Sequence, residues 1–441
     1  MPFADLDAAG IARVLSQLAD QRGDLADAYF ERSEEVELSA VGEPPGLRVR
    51  RESGLAIRLQ RGQETWLAGR DRIDAENFGD AVRRVARALP SAPYAQPDLD
   101  TAPWREPFDT EEVLAFPDLL RRALSALGTE DLAREVKISV RRHRRWLRVI
   151  GLQVSSGVER ESFYSVTALG RSSRRGALYP LLDESAAEAL ARGLARDRFA
   201  EDAPPPKGRA AACVLGAGAA AVLLHEAVAH ALEADILARG GHPEAAIGVE
   251  LGSPLLNVFD DPQSAPESVR RRADDEGYPT LRRCLLRAGK VEQPICDASW
   301  SRRSDLLMPG GGRRGDRQDQ PGPRSLHLEL VAGDQATHQL FADADGGLYF
   351  PEADRGHLDP DSGHFVLGFP YGLRIENGTP GSAVGPCSIS GHVSEVLGKI
   401  DGLGREAKPA GAGWCAKGAV RLPVWSTAPA LRLSEVEVDP R

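Results

Sequence analysis

The sequence predicts an α+β protein: an N-terminal α/β domain, residues 1–203, followed by a β-rich C-terminal domain, residues 208–441, built round a central helix. Three observations predict it. Segments of helical period and of strand period share the first half. The successive prolines 204, 205 and 206 cannot sit inside a helix or a central strand, so they mark a boundary. Beyond about residue 245 the chain turns to glycine, proline and short alternating runs.

The elements follow in order. Residues 7–21 repeat apolar positions at three and four, as an amphipathic helix does. Residues 28–41 and 47–68 hold alternating runs (LRVR, LAIRLQ) that read as strands, and 74–89 reads as a helix ending before Pro90. The proline-rich stretch 90–107 reads as a linker. A helix near 116–127, strands within 135–170 and a helix near 183–198 complete this half. Within it, residues 141–148 (RRHRRWLR) read as the solvated part of a strand. After the prolines, AAACVLGAG reads as a short apolar strand running into a glycine turn. AAAVLLHEAVAHALEADILARGG then reads as one continuous helix closed by Gly240 and Gly241. Residues 300–324 are polar, glycine-rich and without period, which predicts a mobile loop.

Composition bounds the function. The 441 residues are 42% hydrophobic and 27% charged, ordinary for a globular protein. A net charge of −10 gives no footing for general nucleic-acid binding. Five cysteines, an odd number without regular spacing, argue for reduced thiols rather than a disulfide framework. The N-terminus carries no basic segment of a signal peptide. The longest apolar run, 210–224, is shorter than the roughly twenty residues a membrane span needs. These features predict a cytoplasmic protein with no membrane and no nucleic-acid partner.

The informative stretch is His225-Glu226-Ala227-Val228-Ala229-His230. It is one residue longer than the zincin motif HExxH, whose histidines lie four apart on one helix face. On a regular helix two residues five apart diverge by about 140°. The histidines can converge on one metal only if the helix widens locally, as in a π-bulge, or bends at the second histidine. Two histidines do not complete a catalytic zinc site, which takes three protein ligands and leaves a position open for water. Candidates for the third are the cysteines 213, 284, 296, 387 and 415, Glu233, Asp235 and the other histidines. Cys415 lies in a glycine-flanked segment, GAGWCAKGAV, where Lys417 would favour a thiolate. Cys213, in an apolar strand, reads as core.

Several pieces in this order resemble the TldD/PmbA family of metallopeptidases, on the side that keeps the metal motif. GAGAAAVLLHEAVAHALEAD (216–235) is similar to that family's signature helix and DDEG (274–277) to one of its strings. SGHFVLGFPYGLRIENG (362–378) resembles its strand segment, and GWCAKG (413–418), followed by PALRLSEVEV, its C-terminal cysteine segment. The chain departs from the pattern at Ala229, where a glycine is usual, and at Ala416-Lys417-Gly418-Ala419-Val420, where G-K-G-G-Q is usual.

The resemblance implies that His225, His230 and Cys415 hold Zn2+. It also implies a peptidase acting on short or unfolded peptides in an enclosed cavity, and a dimer with a PmbA-like paralogue or with itself. Glu226, beside a ligand, is the candidate general base. Glu233 or Asp235 could orient a histidine. Lys417 and His392 are open candidates for stabilising an oxyanion. The alternative is a non-catalytic or binding subunit of a peptidase complex of this family. A closed four-ligand structural zinc site is a third reading, and no G-x-S-x-G motif supports a serine hydrolase.

Overall fold

A computed structural model describes residues 3, 6–19, 25–39, 46–86, 111–169, 174–200, 202–206, 208–210, 212–239, 246–303, 307–410 and 413–441. The predicted linker 90–107 and the helix stop at Gly240 and Gly241 lie outside these residues.

The first sheet has six strands: β1 (Leu25–Ser39), β2 (Gly46–Arg61), β3 (Glu64–Arg70), β4 (Lys137–Gly151), β5 (Glu159–Leu169) and β6 (Arg174–Tyr179). They lie in the order β3-β2-β1-β4-β5-β6, and every pair is antiparallel. Five helices accompany them: α1 (Ala8–Leu18), α2 (Ala75–Ala86), α3 (Glu111–Ala126), α4 (Glu130–Glu135) and α5 (Glu184–Ala200). Asp7 caps α1, accepting a hydrogen bond from the Gly10 N–H at 2.8 Å. Ile11, Val14, Phe78 and Val82 pack with Phe30 and Ile57 into one core. Phe116, Leu120, Leu190 and Leu194 pack with Val140 and Val166 into another. The sequence reading passes over α4 and β6, both only six residues long.

From Gly208 onward the chain forms further sheets round one helix, α6 (Ala217–Leu224). Its sequence, AGAAAVLL, has no polar side. A helix apolar all round is stable only when enclosed. Here the largest core cluster of the described residues encloses it, with contributions from Cys213, Leu215, Leu328, Phe350, Phe365 and Leu431.

Two predicted features are corrected. Residues 141–148 do lie on a strand, but apart from the exposed Arg141 they are buried or half-buried, because facing strands and loops supply carboxylates to their arginines. Arg142 is buried and donates to Glu34 at 3.2 Å, and Arg145 donates to Glu31. Likewise the stretch 307–324 is packed in rather than mobile: Arg313, Arg314, Arg317 and Arg324 are all buried, and 312–313 pairs with 322–323.

The first sheet is joined to the rest by buried charge. Arg58 on β2 donates to Asp27 of β1 at 2.8 Å and to Glu276 at 2.5 Å. Next to it Asp275 accepts from Arg271 at 2.8 Å and lies 3.7 Å from Arg145 of β4. Burial alone would push the Asp275 carboxyl up, but Arg145, Arg271 and Arg313 hold it well below the usual range. The DDEG string is thus the turn that presents two carboxylates to the arginines of the first sheet. Removing one partner of such a cluster strands a buried charge. Arg58→Met is expected to cost about 3–5 kcal/mol, read as a lowered midpoint of urea unfolding.

Candidate metal centre

The strand Cys213–Leu215 pairs parallel with Leu348–Phe350 and runs straight into α6. At the junction the Gly216 N–H donates to the Phe350 carbonyl at 2.8 Å. The start of α6 is therefore pinned before the motif begins.

At His225 the backbone changes. Residues His225–His230 form a π-helix, one of the two devices that the five-residue spacing demands. Bonds from i to i+5 set residues five apart one above the other, and the two imidazole centroids lie 4.6 Å apart. The predicted single helix does not continue beyond this turn. Glu233 adopts an extended conformation, and a new short helix starts at Ala234. Segment 295 causes the break: Ile295 donates to the Leu232 carbonyl at 2.8 Å and accepts from the Ala234 N–H at 2.9 Å.

Cys415 arrives from the far end of the chain on the strand Gly413–Lys417, which pairs antiparallel with Val420–Ala428. The longer strand also pairs parallel with His327–Leu330, so the hairpin is fixed in a sheet. Alternation then decides the facing. Cys415 and Lys417 turn towards the motif helix, where the Cys415 sulfur lies 3.3 Å from Nε2 of His230. Trp414 turns the other way, edge-on to His143 and Phe163 of β4 and β5.

The ligand atoms of His225, His230 and Cys415 all lie within 4.8 Å of one another, the one such group of three among the described residues. Zinc takes nitrogen at about 2.0–2.1 Å and sulfur at about 2.3 Å, so small side-chain adjustments would let these donors share one ion. Two features fit that use. Both ring nitrogens of His225 are buried without a hydrogen-bond partner, which is costly unless something else satisfies them. A set of two imidazoles and a thiolate also suits zinc.

Around the donors, the side chains are arranged in depth. His230 Nδ1 bonds Glu233 at 3.1 Å. The Glu233 carboxylate is fully buried, accepts from Lys417 at 2.6 Å and has Arg324 at 3.6 Å. Lys417 also donates to Asp235 at 2.7 Å. Burial pushes the Glu233 carboxyl up, but His230, Lys417 and Arg324 outweigh it and bring it down to about 2. Glu226 sits on the π-turn, 9% exposed. A Cβ at Gly356, on the neighbouring strand Arg355–Leu358, would lie 2.4 Å from its Cγ. The bare glycine is what leaves room for the Glu226 side chain.

A family model described as the PmbA/TldA metallopeptidase C-terminal domain matches residues 208–439. The chain belongs to the TldD/PmbA family. Within that family it is similar to the metalloprotease TldD homolog of Haemophilus influenzae, with 32% identity over 227 residues, 51% of this chain and 47% of that protein. It is 28% identical over 242 residues to a metalloprotease of Methanothermobacter thermautotrophicus, covering 55% and 52% of the two chains. The matched region thus spans about half the length of these curated relatives. The fold is similar over 98% of the chain to the crystal structure of TldE from Thermococcus kodakarensis, all of which is covered, with a TM-score of 0.73 at 17% identity.

Of the residues singled out from sequence, His225, His230 and Cys415 meet, with Glu226 on the same turn and Glu233 behind His230. The remaining cysteines do not join them. Cys213, Cys284, Cys296 and Cys387 are buried elsewhere, and burial pushes the thiols of Cys284 and Cys387 up to about 11 and 12. His392 bonds Ser394 and is outside the group. Lys417 serves Glu233 and Asp235 rather than the thiolate. Gly356 and Arg324 carried no signal in the sequence, since each matters only through a residue far away along the chain. No described helix is long and apolar enough to cross a membrane.

Burial also pushes the Cys415 thiol up, but the imidazoles of His225 and His230 outweigh it and bring it down to about 6. In protein stripped of metal, the ultraviolet absorbance of one thiolate should therefore appear as pH rises through about 6, and Cys415→Ala should remove it. The sign follows from a folded value below the ordinary thiol's. The stability contributed by this thiolate is fully present above the unfolded pKa and is lost as pH falls through about 6.

Proposed function

We propose that this chain is a zinc-dependent peptidase that hydrolyses short or unfolded peptides in an enclosed cavity. In this reading His225, His230 and Cys415 are the metal ligands and Glu226 is the general base. The observation that carries it is the convergence of two imidazoles and a thiol from opposite parts of the chain, one imidazole having no other partner for either nitrogen. The relatives named metalloproteases, matched over about half of their length, support the same activity.

Zinc held by these residues would supply Lewis acidity towards the scissile carbonyl and lower the pKa of a water towards 7. The protein does the rest. Glu226 takes the proton of the attacking water and delivers it to the leaving amine. Glu233 accepts from His230 Nδ1, which fixes the ring with Nε2 facing Cys415. The thiolate of Cys415 would contribute negative charge and so make the bound ion a weaker Lewis acid than neutral ligands would.

The proposal includes two domains, 1–203 and 208–441. The first sheet draws only on strands up to Tyr179, and the other sheets only on strands from Gly208, which supports that division. A dimer, with a PmbA-like paralogue or with itself, is part of the same reading, as the family resemblance implies. A cytoplasmic setting accords with five free, buried cysteines.

Two substitutions test the chemistry on an unfolded peptide substrate. Glu226→Gln should lower turnover by about 10²–10⁴-fold while the zinc content stays at the wild-type level. Turnover equal to wild type would sink the role of Glu226. Activity missing from the wild-type chain in every pairing, with zinc bound, would favour the non-catalytic subunit. Gly356→Ala should displace Glu226 and cost on the order of a hundredfold in turnover, again with metal retained. An unaltered rate in that variant would show that the packing of Glu226 does not matter to the reaction.

A further inference from the structure

We infer that Lys417 is a positioning residue for the metal site, a staple that sets the cysteine hairpin against the motif helix. The inference rests on the proposed ligand set. Lys417 lies two residues after Cys415 on the same face of the strand Gly413–Lys417. Its ammonium group donates to Glu233 at 2.6 Å and to Asp235 at 2.7 Å, on either side of the point where the motif helix breaks. Glu233 is fully buried, and its other carboxylate oxygen holds His230 Nδ1 at 3.1 Å. One carboxylate therefore joins the strand that carries the thiol to the ring of the second histidine. Arg324 at 3.6 Å is the further cation beside it.

This arrangement fixes two distances together. Lys417 anchors the strand, which places the Cys415 sulfur 3.3 Å from His230 Nε2, and it neutralises the carboxylate that orients that same ring. Without the ammonium group, Glu233 would lose its shortest ion pair inside the protein, and the hairpin would lose its attachment to the helix. The donors would then have to be ordered by the metal itself, and affinity would fall.

The test uses the full chain with cobalt(II) as probe, measuring its affinity against a competing chelator and the thiolate-to-cobalt charge-transfer absorption. Lys417→Met should weaken cobalt binding about 10–100-fold and reduce the charge-transfer absorption per bound ion. Lys417→Arg should restore most of both. A lysine that only stabilised the fold would lower the melting temperature and leave the spectrum of bound cobalt unaltered. Should Lys417→Met fail to fold, Asp235→Asn removes one of the two anchors at a half-buried position and should weaken binding severalfold. Wild-type affinity and spectrum in a folded Lys417→Met, or in Asp235→Asn where that stands in for it, overturn the inference alone. A wild-type chain that shows no cobalt–thiolate absorption overturns the ligand set and this inference with it.

Discussion

Two imidazoles five residues apart on a helix can face one point only where the backbone widens or bends; here it widens into i to i+5 turns, and the architecture round His225 and His230 follows from that constraint. A π-turn is a poor helix by itself, so it must be held by what surrounds it. α6 enters it pinned at Gly216 and packed into the largest apolar core of the described residues. The chain leaves it at once, because Ile295 takes up the backbone groups of Leu232 and Ala234. That exit turns Glu233 back under His230. The widened turn, the broken helix and the buried carboxylate are parts of one solution.

The second demand is long-range. Cys415 stands 190 positions beyond His225, and a sheet rather than a loop delivers it. The strand Val420–Ala428 joins the hairpin of Cys415 to the strand His327–Leu330, and both contribute to the core that encloses α6. On the reverse face of the same hairpin, Trp414 packs on His143 and Phe163 of the first sheet. That sheet is in turn locked to the DDEG turn through Arg58 and Arg145. The N-terminal strands therefore brace the Cys415 hairpin from behind without contributing a residue to the His225, His230 and Cys415 group. Buried ion pairs gain little net stability but are costly to break, so such a cluster fixes one docking geometry.

What the sequence made legible was local. Alternation and helical period placed most strands and helices of the first half. The extra residue in the histidine motif announced a helix either widened or bent at this point, and the π-turn is the first of these. The cysteine proposed as third ligand was a different matter: its segment offered glycines and a lysine, and only family resemblance singled it out among five. The errors concern tertiary partners. Arg142 and Arg145 look solvated in a run of arginines because their carboxylate partners lie on β1 and in the DDEG turn. The arginine-rich stretch after residue 307 looks loose for the same reason. The helix break at Glu233 has no proline or glycine to mark it, since an isolated bridge to Ile295, 62 positions further on, takes up its backbone groups.

These dependencies make one claim central: that the middle and the end of the chain meet at a single metal ion. The most direct measurement is the metal content of purified wild-type chain beside His225→Ala and Cys415→Ala, each shown to be folded. The account predicts about one zinc per chain in the wild type and its loss in both variants. Zinc that survives Cys415→Ala at the wild-type level, or a wild-type chain that binds none, would contradict it.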